Sequence, residues 1–231
     1  MTGVPAPSRD RRLFGIGCMI VGMLGMGGVD ASGKWLVGAD YHVLQVLAVR
    51  GWFIVAAFLV WATATGRLAQ LPTRRPGGHF IRLLLAFPGP ALMFTALIYM
   101  PLADVTVIVF GSTFMTAALS VPLFKEHIGI HRWFAIFMGF AGVVIALRPG
   151  AGVFEPAAIL ALLAGLSFAT INLTARWLRE TESTLRLVFY VMLGMMLIGS
   201  AALPWVWRPM PLEHVAVFAA MGVFTLIGYA G

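Results

Sequence analysis

Eight stretches of roughly twenty mostly apolar residues follow one another along this chain, at 13–36, 43–65, 80–100, 103–124, 132–149, 156–176, 186–207 and 213–231. A helix of about 20 such residues crosses the ~30 Å of hydrocarbon in a bilayer. Backbone N–H and C=O groups cannot stay unpaired in lipid, and the residue alternation of a closed barrel is absent, so the runs are predicted to be helices. Proline, glycine and charge interrupt them at Arg67 to Gly78, Lys125 to His131, Arg148 to Glu155, Arg176 to Glu182 and Arg208 to Glu213. With 60% hydrophobic and 11% charged residues, the chain lies far from a soluble domain, which averages about 45–50% and about 25%. The fold class is all-α integral membrane, a multi-pass helical bundle of about eight spans, with no separate soluble domain. The first run continues to about residue 36 without a cleavage pattern, so it reads as a retained span and not a signal peptide. Cys18 is the one cysteine, which excludes an intramolecular disulfide.

The net charge of +7 might point to nucleic acid, but the placement of the charges argues against it. With the N-terminus in the cytoplasm, twelve basic residues fall inside: Arg9, Arg11, Arg12, Arg67, Arg74, Arg75, Arg82, Lys125, Arg132, Arg176, Arg179 and Arg186. Three fall outside, Lys34, Arg148 and Arg208, and Arg50 lies within a span. That bias predicts an N-inside protein of the cytoplasmic (inner) membrane. The basic residues are helix flanks.

Asp30-Ala-Ser-Gly-Lys-Trp-Leu36 returns 142 positions later as Asn172-Leu-Thr-Ala-Arg-Trp-Leu178. The first copy closes the first span and the second closes the sixth. Five spans per unit is an odd number, so the two units must be inverted relative to each other, an arrangement typical of secondary transporters. This divides the chain into a cytoplasmic tail (1–12), a first unit of five spans (13–149) and a second unit (150–231). The first unit closes at Arg148-Pro-Gly150, and the same offset puts the close of the second near residue 290. Roughly two and a half spans are therefore expected to be missing, through truncation or because the second unit is short by nature.

Three phrases carry a family resemblance: Tyr99-Met-Pro-Leu-Ala-Asp-Val-Thr106, Pro122-Leu-Phe-Lys-Glu126, and the long run from Gly129-Ile-His-Arg-Trp to Ala-Leu-Arg-Pro-Gly150. Together with the five-plus-five pattern they resemble the EamA branch of the drug/metabolite transporter superfamily, over nearly the whole chain. Asp30-Ala-x-x-Lys-Trp-Leu with Gln45 and Arg50 looks like the subgroup that includes riboflavin and S-adenosylmethionine carriers. The resemblance implies ten spans and transport of a small organic metabolite or drug by alternating access.

Arg50 is the sharpest single residue. It lies seven positions into the second span, roughly 10 Å below the outer surface at ~1.5 Å per residue. A central arginine costs about 2.5–3.5 kcal/mol on insertion scales, so it should face protein or water and have a partner. Asp30 lies at similar depth, and an Asp30–Arg50 pair for which substrate or protons compete is one reading. A structural ion pair, or snorkelling of Arg50, is the other. Asp30 and Lys34 also have the acid-first spacing of a helix pair. Asn172 replaces the carboxylate in the second copy, leaving Asp30, then Asp104, as proton-coupling candidates. Asp104 also reads as the cap of the fourth span. Pro88-Gly89-Pro90 should kink or break the third span near mid-membrane and is the hinge candidate. Ser112, Thr116 and Ser120 form a polar stripe that either packs or lines a cavity.

Gly22, Gly25, Gly27 and Gly28 match no dinucleotide loop and predict close helix approach. Glu126, His127 and His131 have helix spacing for a metal but sit in a basic turn without a further ligand, so no metal and no cofactor is expected. Trp35, Tyr41, Tyr99, Trp133, Trp177, Trp205 and Trp207 fall near span ends, as interface anchors do. The nine acidic residues are scattered, with only Glu180 and Glu182 close together in a charged loop, which disfavours a membrane enzyme. The leading expectation is a carrier whose partners are a small-molecule substrate, protons if coupled, and the bilayer, with a homodimer left open. A non-transporting membrane fragment or subunit is the alternative.

Overall fold

The computed structural model describes residues 9–125, 129–147 and 156–230, and these are all-helical, with no sheet among them. Ten helices follow in order: α1 (Arg9–Gly38), α2 (Val43–Ala64), α3 (Pro76–Ala86), α4 (Pro88–Tyr99), α5 (Leu102–Phe110), α6 (Ser112–Phe124), α7 (Ile130–Leu147), α8 (Pro156–Leu178), α9 (Thr184–Val206) and α10 (Leu212–Ala230), with a short 3-10 turn at Leu68–Gln70. They make up the eight predicted runs, because the third is α3 plus α4 and the fourth is α5 plus α6. Six runs are long and apolar enough to cross a membrane. The fifth and eighth present shorter apolar helices, Trp133–Gly142 and Leu212–Gly228. The third run starts at Pro76, earlier than the predicted residue 80, because proline with its fixed φ opens a helix readily at its first position. Glu126 and His127, where no metal is expected, and the close of the first unit at Arg148 to Gly150 lie outside the described residues.

Both interrupted runs break where the backbone loses donors or gains freedom. Pro88 and Pro90 cannot donate to the carbonyls one turn back, and α3 gives way to α4 at Phe87, whose own dihedrals stay helical. The chain there kinks without unwinding. The Ser167 hydroxyl on α8 donates to the carbonyl of Leu85 beside the kink. A serine from a neighbouring helix thus adds a polar tie between α8 and the chain beside the two prolines. Gly89 lets α8 come close, since a Cβ there would lie 3.1 Å from Ser167 Oγ and 3.2 Å from Phe168.

Small residues set the main helix pairings. The hydrophobic effect does not press helices together in lipid, so close packing of backbones has to do it. α2 packs along α9: a Cβ on Gly199 would stand 2.9 Å from both the amide of Ala48 and the carbonyl of Leu44, and one on Gly51 would stand 2.9 Å from Cα of Met196. α1 packs along α10 in the same way: a Cβ on Gly25 would stand 2.8 Å from the Phe224 carbonyl and the Gly228 amide, and one on Gly28 would run into the Phe224 ring. α4 runs against α8. The prediction of close approach therefore holds for Gly25 and Gly28, whereas Gly22 and Gly27 line a cavity. The core follows from these pairings, with Leu36, Val46, Phe94, Leu97, Phe218 and Met221 fully buried.

Gly199→Val should separate α2 from α9, because the backbone it meets cannot yield as a flexible side chain would. A loss of about 1–3 kcal/mol is expected for overpacking of this kind. It should appear as a lower thermal midpoint in detergent, with Gly27→Ala, in open space, as the neutral control.

Candidate functional site

A cavity of about 540 Å³ lies among α1, α4, α5 and α10. Four thioethers wall it, from Met19, Met23, Met26 and Met93, and Asp30 is its single charged group. Met19 and Met23 are exposed, Met93 is buried, and Asp30 is half-buried. Gly22, Gly27 and Gly228 line it without side chains, so the space is where glycine removes bulk from α1 and α10. Thr106 also borders the cavity, with its hydroxyl donating to the Leu102 carbonyl at 2.7 Å.

The predicted site residues distribute unevenly about this space. Arg50 is buried on α2, and its charge and that of Asp30 act on one another. Lys34 turns away from Asp30 and donates to the carbonyls of Leu97 and, at 3.1 Å, Met100. A cation there satisfies the open C-terminal end of α4. Asp104 is exposed in the first turn of α5, but Pro101 occupies the capping position, without a side-chain bond. The carboxylate favours the helix dipole without being the cap. The Thr116 hydroxyl donates to the Ser112 carbonyl at 2.7 Å, and Ser120 donates to Ala117 at 2.9 Å. Neither they nor Ser112 border the cavity, and Asn172 is exposed on α8. His131 is exposed, and no metal-ligating group of three or more is found among the described residues.

Two polar clusters, one at each end of the bundle, join elements far apart in sequence. At the predicted outer end, Gln45 is fully buried, its amide donating to the Arg208 carbonyl at 2.7 Å and its oxygen accepting the Arg208 N–H at 2.9 Å. The Arg208 guanidinium donates to the Ala39 carbonyl at 3.0 Å and stands 3.7 Å from Asp40. Tyr41, expected as an interface anchor, is buried instead. Its hydroxyl is 2.7 Å from Nδ1 of His214, whose ring also meets Trp35 edge-on.

At the predicted cytoplasmic end, Glu182 is the centre. Its side chain is buried, although the sequence places it in a charged loop. It accepts from the Thr73 hydroxyl at 2.6 Å, the Arg74 N–H at 3.2 Å and the Arg186 guanidinium at 3.0 Å. Arg186 also donates to the Gln70 carbonyl at 2.6 Å. His79 packs on Tyr190 with ring centres 4.4 Å apart and lies 4.0 Å from Glu182. One turn on, Arg82 donates to the Ile171 carbonyl at 2.6 Å and the Thr174 hydroxyl at 3.1 Å. The one local sign of this cluster is the four-residue spacing of Glu182 and Arg186 around the α9 cap Ser183; its partners are about 100 residues away.

The sequence profile of the EamA-like transporter family matches residues 13–148. The chain belongs to that family. Among curated relatives, the S-adenosylmethionine uptake transporter of Rickettsia bellii is 29% identical over 209 residues, 90% of this chain and 71% of that protein. Its counterpart in Rickettsia conorii is 30% identical over 178 residues, 77% of this chain and 60% of the relative. The riboflavin transporter of Vibrio cholerae is 29% identical over 140 residues, covering 60% of this EamA chain and 47% of that protein. The matched stretches of this chain cover from about four-tenths to seven-tenths of the curated relatives. No solved structure matches it at a significant level.

Burial raises the Glu182 carboxyl, but its bonds to Thr73, Arg186 and Arg74 together outweigh this and hold it below the ordinary glutamate range. A carboxyl so depressed stabilises the fold above its unfolded value, about 4.3, and that contribution is lost as pH falls further, through the folded value. Thermal midpoints in detergent should therefore fall on acidification below about pH 4. Glu182→Gln should flatten that acid limb.

Proposed function

We propose that this protein carries a small organic solute across the cytoplasmic membrane, its N-terminus inside, by alternating access between two inverted units of which the second begins with α8. The helix pairings support the inversion. Advancing each span by five turns the pairing of α1 with α10 into that of α8 with α4, and the pairing of α2 with α9 into itself; all of these are made. The observation that carries the function is Asp30, half-buried in a cavity of about 540 Å³ and about two turns below the end of α1. An ionisable group placed there marks a solute or ion path.

Asp30 offers a carboxylate to the cationic part of a solute, and the buried Arg50 on α2, outside the cavity lining, acts on it with a charge of the opposite sign. The thioether walls suit a polarisable ring or sulfur-bearing body. Relatives named as S-adenosylmethionine uptake and riboflavin transporters support a substrate of that size and mixed polarity. Asp30 is also the group through which protons would be coupled. Pro88, Gly89 and Pro90 form the flexing point of the third span, where α8 lies against the kink.

Uptake of labelled S-adenosylmethionine and of riboflavin into membrane vesicles tests the proposal. Asp30→Asn, which removes the one charged group lining the cavity, and Arg50→Gln, which removes the opposite charge acting on it, should each lower uptake about 100-fold, the change that ~2.7 kcal/mol produces. Membrane insertion should be unchanged. Uptake at wild-type rates in either variant would overturn the assignment of the cavity.

A further inference from the structure

The offset of 142 that superimposes Asp30 on Asn172 also superimposes Asp40 on Glu182. These acids follow corresponding helices: α1 ends at Gly38 and α8 at Leu178. Each meets the loop between the second and third spans of the opposite unit. Asp40 faces Arg208 in the α9–α10 loop, and Glu182 faces Thr73 and Arg74 in the α2–α3 loop. Nothing in the local sequence relates these contacts, because Thr73 and Arg208 are not repeat counterparts and the two loops differ in length. Only the bundle brings them into register.

The two contacts are in opposite conditions. The Glu182 side chain has no exposed surface, and its shortest bond is 2.6 Å. Asp40 is 88% exposed on its side chain and 3.7 Å from an Arg208 that is 53% exposed. From this we infer that Asp40 and Glu182 are the latch residues of two gates, outer and cytoplasmic, exchanged by the internal repeat, with the cytoplasmic latch shut and the outer one slack in this structure. The inference rests on the inverted-unit reading above.

The physics favours two discrete conditions over a continuum. A buried carboxylate is either fully hydrogen-bonded or must admit water, because a half-satisfied buried charge is costly. At the cytoplasmic latch the donors come from the α2–α3 loop and from Arg186, with His79 and Tyr190 packed beside them. Releasing the loop frees α3 from α8, to which Arg82 is its next tie. At the outer latch, Gln45 holds the backbone of Arg208. Its guanidinium is then the moving part, passing from the Ala39 carbonyl onto Asp40 as the outer side closes.

The test reads access to the cavity without any substrate. Cys18 is replaced by alanine and Thr106→Cys is placed on the cavity wall. Its reaction with a membrane-impermeant charged thiol reagent is then timed in right-side-out and in inside-out vesicles. Glu182→Gln should raise the rate from the cytoplasmic side about tenfold, the population shift that ~1.4 kcal/mol produces, and lower it from outside. Thr73→Val, which removes one bond and leaves the charge, should move both rates the same way by a smaller factor and covers the case in which Glu182→Gln fails to insert. Arg208→Gln should leave the cytoplasmic rate at or below the parent value. If Glu182→Gln and Thr73→Val both leave the two rates at the parent values, the latch assignment is wrong, whatever the uptake assays show. The expected rate shift in a protein that takes up no solute would retain the latches and remove the carrier reading.

Discussion

A carbonyl in hydrocarbon finds no water, so a break in a spanning helix is tolerated only where its surroundings within the bundle re-satisfy the backbone. The third span shows what this requires. Pro88 and Pro90 bend the helix at Phe87, and Ser167 of α8 reaches the Leu85 carbonyl beside the bend. Gly89 allows α8 to approach that closely. The prolines, the serine and the glycine fall at one place, where α4 and α8 meet.

The helical runs were legible in the sequence because a lipid-facing helix announces itself by composition alone, without any partner. Breaks at proline and charge were legible for the same reason, since their effects act within one turn. Arg50 could be expected inside the protein because the alternative, a cation in lipid, is costly. The family could be read from continuous phrases such as Gly129 to Gly150, and the profile match over residues 13–148 agrees.

Pairwise chemistry was not legible. Glu182 looks like a solvated loop residue until Thr73 and Arg74, more than 100 positions earlier, close over it. Tyr41 has the position of an interface anchor, and its burial follows from His214 at the far end of the chain. Lys34 was placed beside Asp30 by helix spacing, but the unpaired carbonyls at the end of α4 attract it more strongly. In each case the deciding partner is remote in sequence. Short-range spacing rules then name the wrong neighbour.

Methionine gives the cavity a property of its own. Met19, Met23, Met26 and Met93 end in unbranched thioethers with three freely turning bonds, so together they have no fixed contour. Branched aliphatic residues would mould one shape and reject its isomers. A pliant wall of this kind would conform to an apolar body placed against it, leaving discrimination to Asp30, the one charged group lining the cavity. In the carrier proposed above, side-chain softness would set the breadth of cargo and the Asp30 charge its selectivity.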